Sequence, residues 1–314
     1  MLSTDQRVNY TSLDLGFPLN FKPMKGEDYE DQSLQFPRIG QAKVDGHRGV
    51  MNQQNQLFTP KLKPVINRYV HSFFSSLAPA GLGLDGELTI GPPNDPDVYK
   101  WTDGPLRTQA GTPDFTFWVF DAWNLSDGYM DRYEQLKELD VKCVFPEAIR
   151  LVPSTLLKNM SDLDIFTEKC LSEGFEGIMT RSLTGPYKYG RSTVKEGFLL
   201  KHKPFRDDEA EIVSVYPAHQ NNNVGVIDVT GRLTRTSHKQ NLVQKDMIGG
   251  FVGKVLTGPF EGVITNIGPG CMSHIDRMRL YQEDLIGKVI TFKHMRHIGG
   301  YTKPRQGRFW RFRE

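Results

Sequence analysis

The 314-residue sequence predicts an α+β chain: a larger domain of sheets and helices over residues 1–204, then a small all-β barrel over residues 205–314. Three observations carry that division. Helical and strand patterns alternate as far as Lys203-Pro204-Phe205, and beyond it short strands separated by turn residues follow one another. Positive charge also collects in the second part. The net charge is only +2, yet Arg206 to Glu314 hold 16 Lys and Arg against 11 Asp and Glu, leaving 23 against 26 elsewhere. Phe292, Tyr301, Phe309, Trp310 and Phe312 are interleaved with Lys288, Lys293, Arg296, Lys303, Arg305, Arg308, Arg311 and Arg313, which predicts folded strands with a cationic face.

The elements follow in order. Arg38 to Val50 and Gln56 to Thr59 read as short strands around turns. In KLKPVINRYVHSFFSSL, Val65, Ile66, Tyr69, Val70, Phe73 and Leu77 recur at helical spacing and form a core stripe. LGLDGELTI (82–90) is a glycine-punctuated strand, and FTFWVFDAW (115–123) is an apolar run suited to a strand buried on both faces. GYMDRYEQLKELD and SDLDIFTEKCLSE are amphipathic helices, the second capped by Ser161. GIMTR and EGFLLKHKPF return to strand. Past Pro204, EIVSVY, VGVIDVTG, GGFVGKVL, KVITFKHM and RFWRFR are the strands of the barrel.

Several function classes are excluded early. No stretch approaches the roughly 18 apolar residues of a membrane span, and MLSTDQRVNY lacks a secretory signal pattern, so a cytoplasmic protein is expected. Cys143, Cys170 and Cys271 are too scattered for a zinc site or a disulfide framework.

The chemistry concentrates in a few short motifs. In QAKVDGHRG (41–49), Lys43 and Asp45 stand at a sharp turn with Arg48 just beyond. A lysine becomes a nucleophile when neighbouring cations or burial lower its pKa, so Lys43 needs such neighbours. FLLKHKPF supplies them: Lys201 and Lys203 alternate on one strand and share a face, two cations spaced for phosphate oxygens. Glu87 in LDGEL and Glu176 in EGFEGIMTR are strand-entry acids. Each is a surface carboxylate or a ligand for a divalent ion in phosphate chemistry. Phe120 is either plain core or a face on which a base stacks.

In this order the motifs resemble the covalent nucleotidyltransferase superfamily, and within it the small ATP-dependent DNA ligases of phages and viruses. The residues that carry the resemblance are Lys43-Val44-Asp45-Gly46-His47-Arg48, Asp85 to Leu88, Phe120-Asp121, Glu176 to Arg181 and Lys201-His202-Lys203, with YKYGRST (187–193) and KPRQGRFWRFR at the end. The resemblance implies an adenylation domain of antiparallel sheets and helices plus a C-terminal OB-fold barrel. It implies that Lys43 attacks the α-phosphorus of ATP and that AMP passes to the 5′-phosphate of a nick, which the 3′-hydroxyl then seals. Lys201 and Lys203 would neutralise the α-phosphate. Glu176, Asp45 and Glu87 would hold Mg²⁺, for which Mn²⁺ can substitute. Gln41, Ala42, Arg48, Glu87 and Phe120 would hold the nucleoside, Arg191 a phosphate or the nick, and Arg305 the pyrophosphate. Nicked duplex DNA would meet Lys61, Lys63, Arg191, Arg232, Arg235 and Lys239, with a monomer as the working form, in the host cytoplasm if the source is viral.

The chain departs from the family pattern in three places. Pro60 follows Thr59 where an arginine is common, Gln41 stands where many relatives carry Glu, and Pro304-Arg305-Gln306-Gly307-Arg308-Phe309 replaces PRxPxF. Two other readings share these residues. One is an RNA ligase or GTP-dependent capping enzyme, and the other a non-catalytic nucleic-acid-binding protein.

Overall fold

The computed structural model describes residues 11–29, 34–125, 128–142, 144–295 and 301–313. The N-terminal decapeptide, Cys143 and Arg296 lie outside the described residues. Clustering of contacts divides the chain into two compact units, Met1–Lys203 with Ile227–Arg232, and Pro204–Val226 with Leu233–Glu314.

The first unit holds strands β1 (Glu27–Asp28), β2 (Arg38–Ala42), β3 (His47–Met51), β4 (Leu57–Phe58), β5 (Leu84–Ile90), β6 (Phe115–Ala122), β7 (Ile149–Leu151), β8 (Ser154–Leu157), β9 (Ile178–Ser182) and β10 (Leu199–His202). Its helices are α1 (Arg68–Ser75), α2 (Val98–Leu106), α3 (Tyr129–Val141) and α4 (Met160–Ser172). The strands make two five-stranded sheets, ordered β1-β10-β9-β2-β8 and β4-β3-β5-β6-β7. All pairings are antiparallel except β1 with β10 and β6 with β7. The turn at residues 43–46 therefore carries the chain from one sheet to the other.

One face of the second sheet is buried: Leu84, Leu88, Phe115, Phe117 and Val119 pack with Val70 and Phe74 of α1, Leu106 of α2 and Leu136 of α3. The strand period of two sends Arg48 and Glu87, paired across β3 and β5, to the opposite face. On β6 the ladder skips one residue: Val119 faces Gly86 and Asp121 faces Asp85, so Phe120 is the extra residue of a bulge. Such a residue is free to re-aim its side chain. β6 is consequently not buried on both faces, because Thr116, Trp118 and Phe120 remain partly open.

The second unit contains β11 (Phe205–Asn221), β12 (Gly225–Ile227), β13 (Leu233–Arg235), β14 (Leu242–Val255), β15 (Ile264–Ile267), α5 (His274–Leu280), β16 (Val289–Met295) and β17 (Arg308–Phe312). Five of these strands form one sheet in the order β15-β14-β11-β16-β17, and β12 pairs with β13 in a separate ribbon. A parallel bridge from Gly268 to Arg308 joins the end of β15 to the start of β17. With α5 between β15 and β16, this is the topology of an OB-fold. Ile212, Ile248, Phe251, Ile267, Ile290 and Phe292, none exposed, fill its core.

Some local expectations change. α1 begins only at Arg68, capped by Asn67, so Ile66 and Tyr69 are 51% and 44% exposed and the stripe runs through Val70 and Phe74. α2 was not expected, because Gly104 and Pro105 mask the helix in VYKWTDGPL. α4 is capped by Asn159, whose Oδ1 accepts from the Asp162 amide at 3.0 Å, while Ser161 lies inside the helix. Asn159→Ala should therefore cost about 1 kcal/mol in denaturant unfolding. Ser161→Ala should stay within about 0.5 kcal/mol of the parent.

Candidate active site

Two glycines position the reactive groups. A Cβ on Gly46 would lie 2.1 Å from the Leu88 carbonyl oxygen, so only glycine lets the turn after Lys43 close against β5. Gly177, at φ +153°, is equally constrained, since a Cβ there would lie 2.2 Å from the carbonyl oxygen of His202. The Lys43 amide donates to the Gly177 carbonyl at 2.9 Å, tying the turn to the segment that carries Glu176.

Glu176 is 2% exposed at its side chain and is gripped from both sides. One carboxylate oxygen meets the Lys43 ammonium and the other accepts from Lys203. Burial pushes the Glu176 carboxyl up, but the two ammoniums outweigh it and hold it below the ordinary carboxylate range. Burial likewise pulls Lys43 down, but Glu176, Glu87 and Asp45 together raise it above an ordinary lysine. That reverses the expectation that cations depress Lys43, because Glu176 stands between it and Lys203. The depressed lysine is Lys203, lowered by burial and then by Lys43.

Beside Lys43 lies a cavity of about 260 Å³ lined from the first sheet by Gln41, Ala42, Met179, Arg181 and Leu199, and from the second by Arg48, Glu87 and Phe120. Two guanidiniums lie near the Phe120 ring, Arg48 at 5.4 Å and Arg181 at 5.5 Å from its centroid. Both arginines are anchored by buried acids. Arg48 makes a fork to Asp85, Nε to Oδ1 at 2.9 Å and Nη2 to Oδ2 at 2.6 Å, and the Tyr187 hydroxyl donates to the same Oδ2 at 2.6 Å. Arg181 donates to Asp121 at 2.7 Å and to the Gln41 side-chain oxygen at 3.2 Å, and Arg132 donates to Asp121 at 2.8 Å and 3.1 Å. Burial raises the Glu87 carboxyl to about 7, against the pull of Lys43 and Arg48.

The sequence-predicted set is thus gathered only in part. Gln41, Ala42, Lys43, Arg48, Glu87 and Phe120 line the cavity, with Glu176 and Lys203 joined to Lys43. Lys201 instead pairs with Asp28 at 3.3 Å, and Arg191 with Glu27 at 3.2 Å. Lys61 and Lys63 are exposed. In the second part of the chain Arg232, Arg235 and Lys239 are exposed, while the Arg305 guanidinium lies 4.5 Å from the Tyr301 ring centroid. Sequence reasoning missed Asp85, Asp121, Arg132, Arg181 and Tyr187. Asp85, Asp121, Arg181 and Tyr187 stand inside the quoted motifs, which was the available signal; Arg132, on a charged helix, gave none. It also missed Lys25, whose ammonium burial and the charge of Arg48 push down.

Among the described residues no group of three or more His, Cys, Asp or Glu is placed to hold a metal ion unaided. The carboxylates of Glu176, Glu87 and Asp45 around Lys43 nonetheless suit a hard divalent cation that shares its ligands with phosphate, as Mg²⁺ commonly does.

A lysine held by a buried carboxylate thus stands beside a cavity that offers an aromatic face and guanidiniums. The chain belongs to the ATP dependent DNA ligase domain family, whose model matches residues 27–203. A DNA ligase of African swine fever virus is 25% identical over 147 residues, 46% of this chain. The match spans 34% of that relative, about a third of its length. The Chlorella virus DNA ligase-adenylate structure is 29% identical with a TM-score of 0.51, covering 93% of this chain and 99% of that one. A Lig E DNA ligase shares the fold at TM-score 0.69 and 21% identity, over 93% of this chain and 99% of its own.

Glu87 yields a pH signature. A carboxyl whose folded pKa, about 7, exceeds its ordinary value of 4.5 takes stability away as pH rises between the two. Glu87→Gln should therefore raise stability at pH 8 by on the order of 2 kcal/mol, less than the full shift because the cavity is partly open, and change little at pH 4.5. Thermal melts at the two pH values check it.

Proposed function

We propose that this protein is an ATP-dependent DNA ligase that seals nicks in duplex DNA through an AMP group carried on Lys43. The observation that supports this most is the placement of Lys43, between Glu176 and the cavity of Phe120, Arg48 and Glu87. In the first step the Lys43 amine forms a bond to the α-phosphorus of ATP, the bond to the β-phosphate oxygen breaks, and pyrophosphate leaves. AMP then passes to the 5′-phosphate oxygen at the nick. Attack by the 3′-hydroxyl expels AMP and closes the strand.

The chain's own groups supply orientation and charge. Phe120 stacks the adenine while Arg48 and Arg181 hold the ring, and Glu87 and Arg48 face the ribose. Lys203 takes up charge that develops on the α-phosphate. A divalent cation held by Glu176, with Glu87 and Asp45, would draw charge from the phosphates and weaken the hold of Glu176 on the Lys43 proton. Before attack that proton must leave Lys43, and Glu176 is the acceptor in contact with it. The basic residues of the OB-fold unit, among them Arg235 and Lys239, contact backbone phosphates irrespective of sequence, as does Arg232 of the first unit. A monomer engaging one nick is the proposed working form. No helix among the described residues is long and apolar enough to cross a membrane.

With labelled ATP and Mg²⁺ the protein should acquire an acid-labile AMP label and seal nicked DNA, and Lys43→Ala should do neither. Label from GTP alone would favour the capping reading, and sealing of nicked RNA alone the RNA-ligase reading.

Phe120→Ala should raise the KM for ATP about tenfold or more with a nearly unchanged melting temperature. Phe117→Ala, whose ring is fully buried, should instead cost about 3–5 kcal/mol of stability. Equal kinetic losses at equal stability would mean that Phe120 is core and not pocket.

A further inference from the structure

Arg38 opens β2, and its residue is only 3% exposed. Its guanidinium nevertheless meets no carboxylate among the described residues. Nε donates to the Thr180 hydroxyl at 3.2 Å, and Nη2 donates to the carbonyls of Gly197 at 2.5 Å and Thr180 at 3.4 Å. Nη1 has no hydrogen-bond partner among the described residues. Every acceptor this cation meets among the described residues is neutral, in contrast to Arg48, Arg132 and Arg181, each of which is matched by a buried aspartate. A buried charge without a counter-charge is costly, and burial alone lowers Arg38 to about 10.

The guanidinium borders a polar cavity of about 180 Å³, lined also by Gln35, Ser182, Lys195, Glu196 and Gly197. Ser182 lies directly opposite Arg38 across the β2–β9 ladder, so both side chains leave the sheet on the same face. Glu196 is the acid of the rim, but its carboxylate is already taken by the Lys188 ammonium at 2.6 Å and 2.7 Å and by the Thr193 amide and hydroxyl. Lys195 is exposed at the mouth. The cavity thus offers an uncompensated guanidinium, a hydroxyl, an amide and a second cation, and it shares no lining residue with the Lys43 pocket.

We propose that the cavity at Arg38 is a second oxyanion site, which takes a phosphate group. Guanidinium and phosphate match in charge and geometry, and a dianion or diester oxygen supplies the counter-charge that the protein omits. Two sources share this chemistry, a backbone phosphate of bound DNA and free inorganic phosphate. The first rests on the ligase reading and the second does not. The loop that frames the site follows Arg191 within six residues of the sequence.

Amide spectra of the full chain titrated with inorganic phosphate, at an ionic strength held constant with chloride, read the site locally. Saturable shifts of the Gly197 and Lys195 amides are expected, lost in Arg38→Met. Lys195→Glu, at an exposed position, should raise the phosphate Kd severalfold even if Arg38→Met proves unstable. Amides that do not move, or that respond identically in Lys195→Glu, would overturn the site. Saturating nicked duplex then separates the sources: a backbone phosphate shifts Gly197 and abolishes its response to free phosphate, whereas a site for free phosphate keeps that response. A protein that shows these shifts but never labels Lys43 would contradict the ligase reading and leave this site standing.

Discussion

The contact on which the rest of the site depends is the carboxylate of Glu176 held between the ammoniums of Lys43 and Lys203. Two lysines alone would repel and lose protons, while the acid alone would take one up. Together they hold Lys43 beside the cavity in its charged form. Chemistry at Lys43 then requires that the grip of Glu176 be weakened, and the natural agents for that are the charges a nucleotide and its cation bring. The resting site is thereby protected from adventitious reaction.

Around this clamp the site is built from matched pairs of buried charge. Asp85 orients Arg48, and Asp121 orients Arg181 and Arg132. Removing one member of such a pair leaves an unpaired charge in a poorly solvated place, so these acids act on the Phe120 ring through the arginines they hold. The two sheets contribute unequally. The first brings Lys43, Glu176 and Lys203, and the second brings Arg48, Glu87 and Phe120, so the turn at Gly46 that joins them also sets how the two groups meet at the cavity.

Much of this was legible in the sequence because the motifs are short and their spacing is rigid. Lys43, Glu87 and Phe120, expected as site residues, line one cavity with Glu176 in contact with Lys43, and the pattern changes to short strands near Pro204, where one compact unit gives way to the other. What was not legible depends on partners distant in sequence. Nothing near Lys43 says that Glu176 will stand in contact with it, and that acid, with Glu87 and Asp45, reverses the direction of its pKa. The bulge that turns Phe120 out of the ladder is a property of β5 and β6 together. Lys201 and Lys203 share a face, as alternation requires, yet Asp28 on the neighbouring β1 captures the first. α2 escaped because a glycine and a proline obscure its period, and the true cap of α4 stands two residues before the expected one.

The central claim is electrostatic, and direct titration of the Lys43 amine tests it. Site-resolved nuclear magnetic resonance of isotopically labelled lysine side chains would follow Nζ in the parent protein and in Glu176→Gln. The account predicts that Lys43 titrates above an ordinary lysine in the parent and falls below it once Glu176 is neutral, with Lys203 then its nearest charge. A Lys43 pKa that is already low in the parent, or one that does not move when Glu176 is replaced, would contradict it.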